Sequence, residues 1–245
     1  MEAIRIENLT KTYKDVTAVD HLTLSVAEGE LFSLLGVNGA GKTTTIRMLS
    51  ALTVPTGGDA YLLGKSITRD AAAVKSVIAV SPQETAAAPN LTVSENLALI
   101  CGVHGFSKEK QETKIREMTA LLGLESVLGR KAGKLSGGWQ RRLSIAMALI
   151  CEPKILFLDE PTLGLDVIAR SELWDLIRSM KGTITIILTT HYMEEAEALS
   201  DRIAIMRDGK LLICDTADAI KAYAGKERFE DAFVQIVRGV TPCEC

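Results

Sequence analysis

The chain has 245 residues, 47% of them hydrophobic, and a formal charge of −3, enough for one large domain or two small ones around a substantial core. A slightly positive mean hydropathy points to buried interfaces with partners. No block of lysine or arginine stands out, so a general electrostatic grip on DNA or RNA is not expected.

Read in chain order, Met1-Glu2 leads into charged residues rather than a secretion signal. "AIRIENL" then reads as an alternating strand with Ile4 and Ile6 turned outward and inward, and "LFSLLG" follows as a short apolar strand. "SVIAVS" is a further strand. From Gln83 to Glu152 the texture changes: "LTVSENLALICGVHG", "SKEKQETKIREMTALLGL" and "LSGGWQRRLSIAMALICE" carry apolar residues at helical spacing, and no good strand interrupts them. The strands "KILFLDE" and "TITIILTTH" come next, their continuous cores "ILFL" and "ITIIL" marking burial on both faces, as in a parallel sheet covered by helices. "RIAIMRDGKLLICD" is a hairpin by its Asp-Gly pair, and "FEDAFVQIVRG" is a last helix before an unpatterned tail. An α/β core interrupted by an all-helical insertion is therefore expected. No run reaches the roughly 20 apolar residues of a membrane span. Cys101, Cys151 and Cys214 are scattered in or beside apolar runs, which fits a reducing interior. Cys243 and Cys245 read as part of a floppy tail, with a metal clip as the alternative.

The chemistry concentrates in three places. Gly36, four residues, then Gly41-Lys42-Thr43 fits the phosphate-binding loop pattern, and it lies where that loop must, after "LFSLL" and before "TTTIRMLSAL". Glycines 36, 39 and 41 let the backbone curl its N–H groups inward as an anion nest, and the helix that follows turns its positive end to the same spot. Lys42 would reach the β- and γ-phosphates and Thr43 would ligate Mg²⁺. "ILFLDEP" puts Asp159 and Glu160 at the carboxyl end of a buried strand, where ligands of open parallel sheets gather. Asp159 would hold Mg²⁺ and Glu160, pointing the other way, would act as general base; two solvated acids opening a turn are the alternative. In "KLSGGWQRR", Ser136 is an N-cap, Gly137 and Gly138 leave the helix start bare, and apolar residues at 139, 143, 147 and 150 mark one face. A plain turn and cap would also explain those glycines.

"GVNGAGKTT", "LSGGWQRR", "ILFLDEPTLGLD" and "TTHYMEEAE" stand in the order and spacing of the nucleotide-binding subunits of ATP-binding cassette (ABC) transporters, and this chain resembles them over nearly its whole length. The resemblance implies a P-loop NTPase fold: a mostly parallel sheet with an antiparallel β part, as core 1–83 and 153–220, a helical signature subdomain at 84–152, and a short C-terminal helix and tail at 221–245. It implies binding of ATP and Mg²⁺ by Gly36, Val37, Asn38, Gly39, Ala40, Gly41, Lys42, Thr43 and Thr44, with Mg²⁺ at Thr43, Gln83 and Asp159. Catalysis falls to Glu160 and to His191, the latter a γ-phosphate contact and positioner. Ser136, Gly137, Gly138 and Asp166 would act in trans, on the nucleotide held by a second ABC ATPase subunit, so that ATP glues the pair and its hydrolysis releases it. Tyr13 matches the adenine-stacking aromatic, a strand-end tyrosine packed on the core being the alternative. Gln83 and His191 likewise have bland readings, as a solvated and a structural residue. Val37 replaces a common proline, and Trp139 a more usual Met or Gln.

The layout looks most like the drug- and polysaccharide-exporter branch, including daunorubicin-type efflux ATPases. That implies export of a drug, lipid, polysaccharide or ion through a separate membrane permease, with this chain at the cytoplasmic face of the membrane, and "AAAPNLTVSENLALI" offering apolar contacts to the permease. Importer subunits share these motifs. A soluble ABC ATPase of ribosomes or DNA, or a non-hydrolysing regulatory module, are the other classes.

Overall fold

The computed structural model describes residues 1–239; Cys243 and Cys245 lie outside them. In chain order the elements are β1 (Glu2–Tyr13), β2 (Val16–Ala27), β3 (Leu31–Leu35), α1 (Lys42–Leu49), β4 (Gly57–Leu62), β5 (Lys65–Ser66), α2 (Ala71–Lys75) and β6 (Ile78–Ser81). They continue as α3 (Val93–Val103), α4 (Lys108–Leu122), α5 (Gly137–Leu149), β7 (Ile155–Asp159), α6 (Val167–Ser179) and β8 (Thr185–Thr190). The chain then forms α7 (Met193–Leu199), β9 (Arg202–Arg207), β10 (Lys210–Asp215), α8 (Ala217–Ala224) and α9 (Phe229–Arg238).

Two sheets result. Six strands in the order β10-β9-β3-β8-β7-β6 make the main sheet, parallel from β9 to β6, with β10 antiparallel at its edge. Strands β3, β7 and β8 are buried at every residue, which explains their unbroken apolar runs: both faces are covered. Alternate side chains feed opposite cores. Leu156 and Leu158 join the cluster that α3, α4, α5 and α6 cover, whereas Ile155 and Phe157 join the one shared with α1 and the second sheet. No strand occurs between residues 84 and 152, but the helices there have no separate core. Leu97, Leu122 and Leu143 pack in one cluster with Leu31, Leu156 and Leu188 of the sheet.

The second sheet is antiparallel, β2-β1-β4-β5. Ile4 and Ile6 both face its core, correcting the inward–outward assignment: residues two apart on a strand share a face. Alternation reveals β1 but not β2, because the pairing slips between Ile6 and Leu9 and again between Leu9 and Lys11. Asn8 and His21 sit there with φ of 48° and 50°. Bulges of this kind break the two-residue period, so the buried residues of β2 fall at 19, 22 and 26. The β9–β10 hairpin turns through Asp208 and Gly209, φ 50° and 77°, the left-handed pair that an Asp-Gly turn provides.

Parallel strands end on one side of a sheet. Residue 36 follows β3, residue 83 follows β6, Asp159 closes β7 and residue 191 follows β8. Four distant stretches of sequence are thereby brought to one edge, at neighbouring strand ends.

Candidate functional site

A cleft of about 550 Å³ opens at that edge, lined by Asn38 to Thr44 together with Ala18, Gln83, Glu160, Leu163 and His191. The loop between β3 and α1 needs its glycines for two different reasons. A Cβ on Gly36 would stand 2.4 Å from the Met206 carbonyl oxygen; one on Gly41, where φ is 101°, would stand 2.4 Å from that of Ala18. The backbone is therefore pressed against β9 and β2 on its outer side, and its inner side is left to the cleft. Gly41 caps α1 with no side-chain hydrogen bond, so no side-chain acceptor competes for the first N–H groups of that helix, and they remain available to an anion.

Lys42 is buried, its Nζ donating to the carbonyls of Gly36 (2.7 Å) and Val37 (3.3 Å), with Glu160 Oε1 at 3.8 Å. Burial pulls its pKa below the ordinary lysine value, with Glu160 and then Asp159 opposing. The ammonium thus sits inside the loop, held by two carbonyl dipoles with its nearest carboxylate, Glu160, at 3.8 Å, an arrangement complementary to a polyphosphate.

Asp159 is buried at the end of β7. Its Oδ1 accepts from the Thr43 hydroxyl (3.3 Å) and from the Thr189 hydroxyl, so the loop, β7 and β8 meet at one carboxylate. Among the described residues no three His, Cys, Asp or Glu side chains cluster as a metal cage. One carboxylate, one hydroxyl and a nearby amide instead suit Mg²⁺, which is held by few protein ligands when phosphates supply the rest.

Glu160 meets a different set of partners from Asp159, namely Lys42 and His191. Its Oε2 lies 3.2 Å from His191 Nδ1 without the alignment of a hydrogen bond, that nitrogen having no hydrogen-bond partner. The backbone of Glu160 is left-handed, φ 46°, and its N–H donates to both the carbonyl and the hydroxyl of Thr189, each at 3.1 Å.

The remaining predicted residues lie elsewhere. Ser136 occupies the N-cap position of α5, yet its side chain makes no capping bond, and Ser136 and Gly137 are exposed. The apolar face drawn through 139, 143, 147 and 150 proves too narrow: α5 is wedged between neighbours, with Arg141, Ser144, Ile145, Ala146, Ala148 and Leu149 also buried and Trp139 and Met147 only half-buried. Asp166 caps α6 by accepting from the Ala169 N–H at 2.9 Å, and Leu163, Val167 and Ile168 around it are exposed. Tyr13 is 44% exposed and carries the Lys11 ammonium 5.0 Å from its ring centre, so it does not pack on the core. Val37 and Gly36 shape the loop from outside the cleft lining. Leu99 and Val103 of α3 are exposed, while Val93 and Leu97 of the same helix are buried.

Sequence reasoning misses Ala18, Leu163, Thr189 and Arg141. Thr189 had a signal in the paired threonines that close "ITIILTT". Arg141 had none, an arginine beside another arginine on a helix being ordinarily solvated.

Comparison with known proteins gives a consistent result. Residues 19–163 match the family model described as "ABC transporter". The chain is 42% identical over 226 residues to human phospholipid-transporting ATPase ABCA3, covering 91% of this chain and 13% of that protein. It is 39% identical over 229 residues to the daunorubicin resistance ATP-binding protein DrrA3 of Streptomyces coeruleorubidus, covering 93% of this chain and 72% of that one. Among solved structures, a dimeric post-hydrolysis state of the ATP-binding cassette MJ0796 bound to ADP and Pi superposes with a TM-score of 0.78 at 27% identity, covering 87% of this chain and 98% of that one.

Proposed function

Because this chain belongs to the ABC transporter family, we propose that it is the ATP-hydrolysing subunit of an exporter, acting with a second copy and with a membrane permease. The observation that carries this reading is the meeting of the Asn38–Thr44 stretch of the loop with Glu160 in one cleft, on a chain whose Ser136 hydroxyl is left without a capping role. A phosphate-binding edge and an exposed helix start stand on the same molecule but apart, which suits head-to-tail pairing of two copies.

In this reading the loop N–H groups and Lys42 hold the β- and γ-phosphates. Thr43, Asp159 and Gln83 would hold Mg²⁺, which would supply neutralisation of the phosphate charge. Glu160 takes the proton of the attacking water, and His191 orients the carboxylate and the γ-phosphate. Tyr13, unengaged by the core, offers its ring to adenine. The second copy's Ser136, Gly137 and Gly138 close over the γ-phosphate, with Asp166 linking the two sites. Because the closed pair is stabilised through that phosphate, its loss removes the differential affinity that held the halves together.

Export is supported by the daunorubicin-resistance protein among the relatives, and lipid is a candidate cargo by the name of the human one. Among the described residues no helix is long and apolar enough to cross a membrane; the proposal places the passage in a permease, with this chain at the cytoplasmic membrane face.

Ser136→Arg tests the trans arrangement. It is expected to lower turnover by at least ~100-fold, as loss of a charge-stabilising contact in the transition state does, while ATP affinity of the isolated chain stays within about 2-fold. Loss of binding to the monomer would show that the segment acts in cis. The transporter reading is tested by tagging the chain in its source cell and purifying it from detergent-solubilised membranes. A polytopic membrane protein is expected to accompany it; recovery with ribosomes or DNA instead would sink the transporter reading.

A further inference from the structure

Among the described residues lining the cleft, Glu160 is the non-glycine residue with a positive φ, 46°. Glutamate rarely occupies that region, and such a conformation persists only where the surroundings over-determine it. Thr189 holds the N–H of Glu160, but its flanking carbonyls are held from another direction. The guanidinium of Arg141 donates through Nη2 to the Asp159 carbonyl at 2.6 Å and through Nε to the Pro161 carbonyl at 2.7 Å. One planar fork therefore straddles Glu160 and grips the backbone on both sides of it.

The third arm of the same group reaches the cleft's other wall. Nη1 donates to the Pro82 carbonyl at 2.5 Å, and more distantly to that of Gln83. Arg141 is 6% exposed, and burial lowers its pKa to about 10, with the carboxylates of Asp159, Glu195 and Glu160 opposing. It is therefore still charged at neutral pH, and every hydrogen bond it makes is charge-assisted. A second tie, between the hydroxyls of Ser81 and Ser144 at 2.9 Å, fixes α5 to the end of β6 one turn along.

We propose that Arg141 is a positioning residue that locks the backbone of Glu160 in its strained conformation and couples that lock to the placement of α5, the helix that begins after Ser136. Resting on the reading of Glu160 as general base, this makes the base sensitive to how the exposed start of α5 is seated. A partner engaging Ser136 would press on the same rigid helix that aims the carboxylate.

The test is steady-state and single-turnover ATP hydrolysis by the purified chain, with nucleotide affinity and thermal melting measured alongside. Arg141→Met keeps the apolar stem and removes every donor. It is expected to lower kcat about 100-fold, the loss that a misplaced reacting group produces, with ATP affinity of the monomer within about 3-fold of wild type. Arg141→Lys, a point charge that cannot span two carbonyls, is expected to recover about 10-fold of that loss. Added to Glu160→Gln, Arg141→Met should cost less than about 3-fold further in the single-turnover rate, because the group it aims is already gone. An unchanged kcat for Arg141→Met would overturn the proposal, as would an equal loss in both backgrounds, the mark of a general packing role. If Arg141→Met shows no cooperative melt, Arg141→Lys carries the test, and a kcat within about 2-fold of wild type overturns it. Glu160→Gln turning over like wild type would instead remove the premise, an outcome distinct from any result on Arg141.

Discussion

Lys42→Ala is expected to weaken ATP binding by about 100- to 1000-fold while the melting temperature of the nucleotide-free chain moves by only a few degrees. The two parts of this result have one cause. The ammonium of Lys42 is buried and held by the Gly36 and Val37 carbonyls, and its nearest anion, Glu160, is 3.8 Å away. Losing about two charge-assisted hydrogen bonds to a polyphosphate, at roughly 1.5–3 kcal/mol each, gives the lower end of that range or more. Without nucleotide the same cation is a burden. Its pKa is below the ordinary lysine value, chiefly through burial, so in the alkaline range, between the folded and unfolded pKa, the unfolded chain binds more protons and stability rises with pH. Below both pKa values the charge is present in full and its desolvation opposes folding; removing it relieves that opposition and offsets the lost carbonyl contacts. Titration with a fluorescent nucleotide analogue, paired with a thermal melt, measures both. Unchanged affinity would mean that the loop is not the phosphate site.

What could be read from the sequence, and what could not, follows from how local each feature is. The loop from Gly36 to Thr44 is contiguous, and its glycines announce themselves because a Cβ there would collide with the Met206 or Ala18 carbonyl. Strands β3, β7 and β8 were equally open to view, since full burial writes an unbroken apolar run. Placement of Asp159 at the ligand edge followed once those strands were taken as parallel, because parallel strands end together, whereas Gln83 and His191 were singled out by the family resemblance alone. Strand β2 was hidden by the bulges opposite Asn8 and His21, which destroy its period. Arg141 and Thr189 were hidden for another reason: each acts on backbone or carboxylate groups that are close in space but not in sequence. Nothing about an arginine in "WQRRL" shows that it clamps the carbonyls of Asp159 and Pro161. Ser136 is the reverse case. Its position as a cap was legible, but only coordinates show that its hydroxyl makes no capping bond, and that free hydroxyl supports the trans role.

Glu160→Gln is expected to hold ATP and to persist as a dimer while hydrolysis falls by about 1000-fold, within the span attributed to a positioned general base. Glutamine keeps the volume and one side-chain carbonyl oxygen, so Lys42 and His191, which lie 3.8 and 3.2 Å from the carboxylate oxygens, retain a polar neighbour. The strained backbone is unaffected, because it is held by Thr189 and Arg141 through main-chain groups alone. What disappears is the ability to take a proton from water. Binding and catalysis should therefore separate: nucleotide affinity is kept or improved, since a negative charge facing the phosphates is gone, and the closed pair accumulates because the step that dissolves it is blocked. By the same reasoning the dimer should fall apart when ADP replaces ATP, as the γ-phosphate is the part of the nucleotide that both copies would share in the proposed arrangement. Size-exclusion chromatography with light scattering, run with ATP and with ADP, distinguishes the states, and phosphate release measures the rate. A variant that hydrolyses ATP at the wild-type rate would transfer the base role to another group, with His191 the next candidate in the cleft. A variant that is slow yet monomeric in ATP would leave Glu160 as the base and remove the second copy from the catalytic cycle.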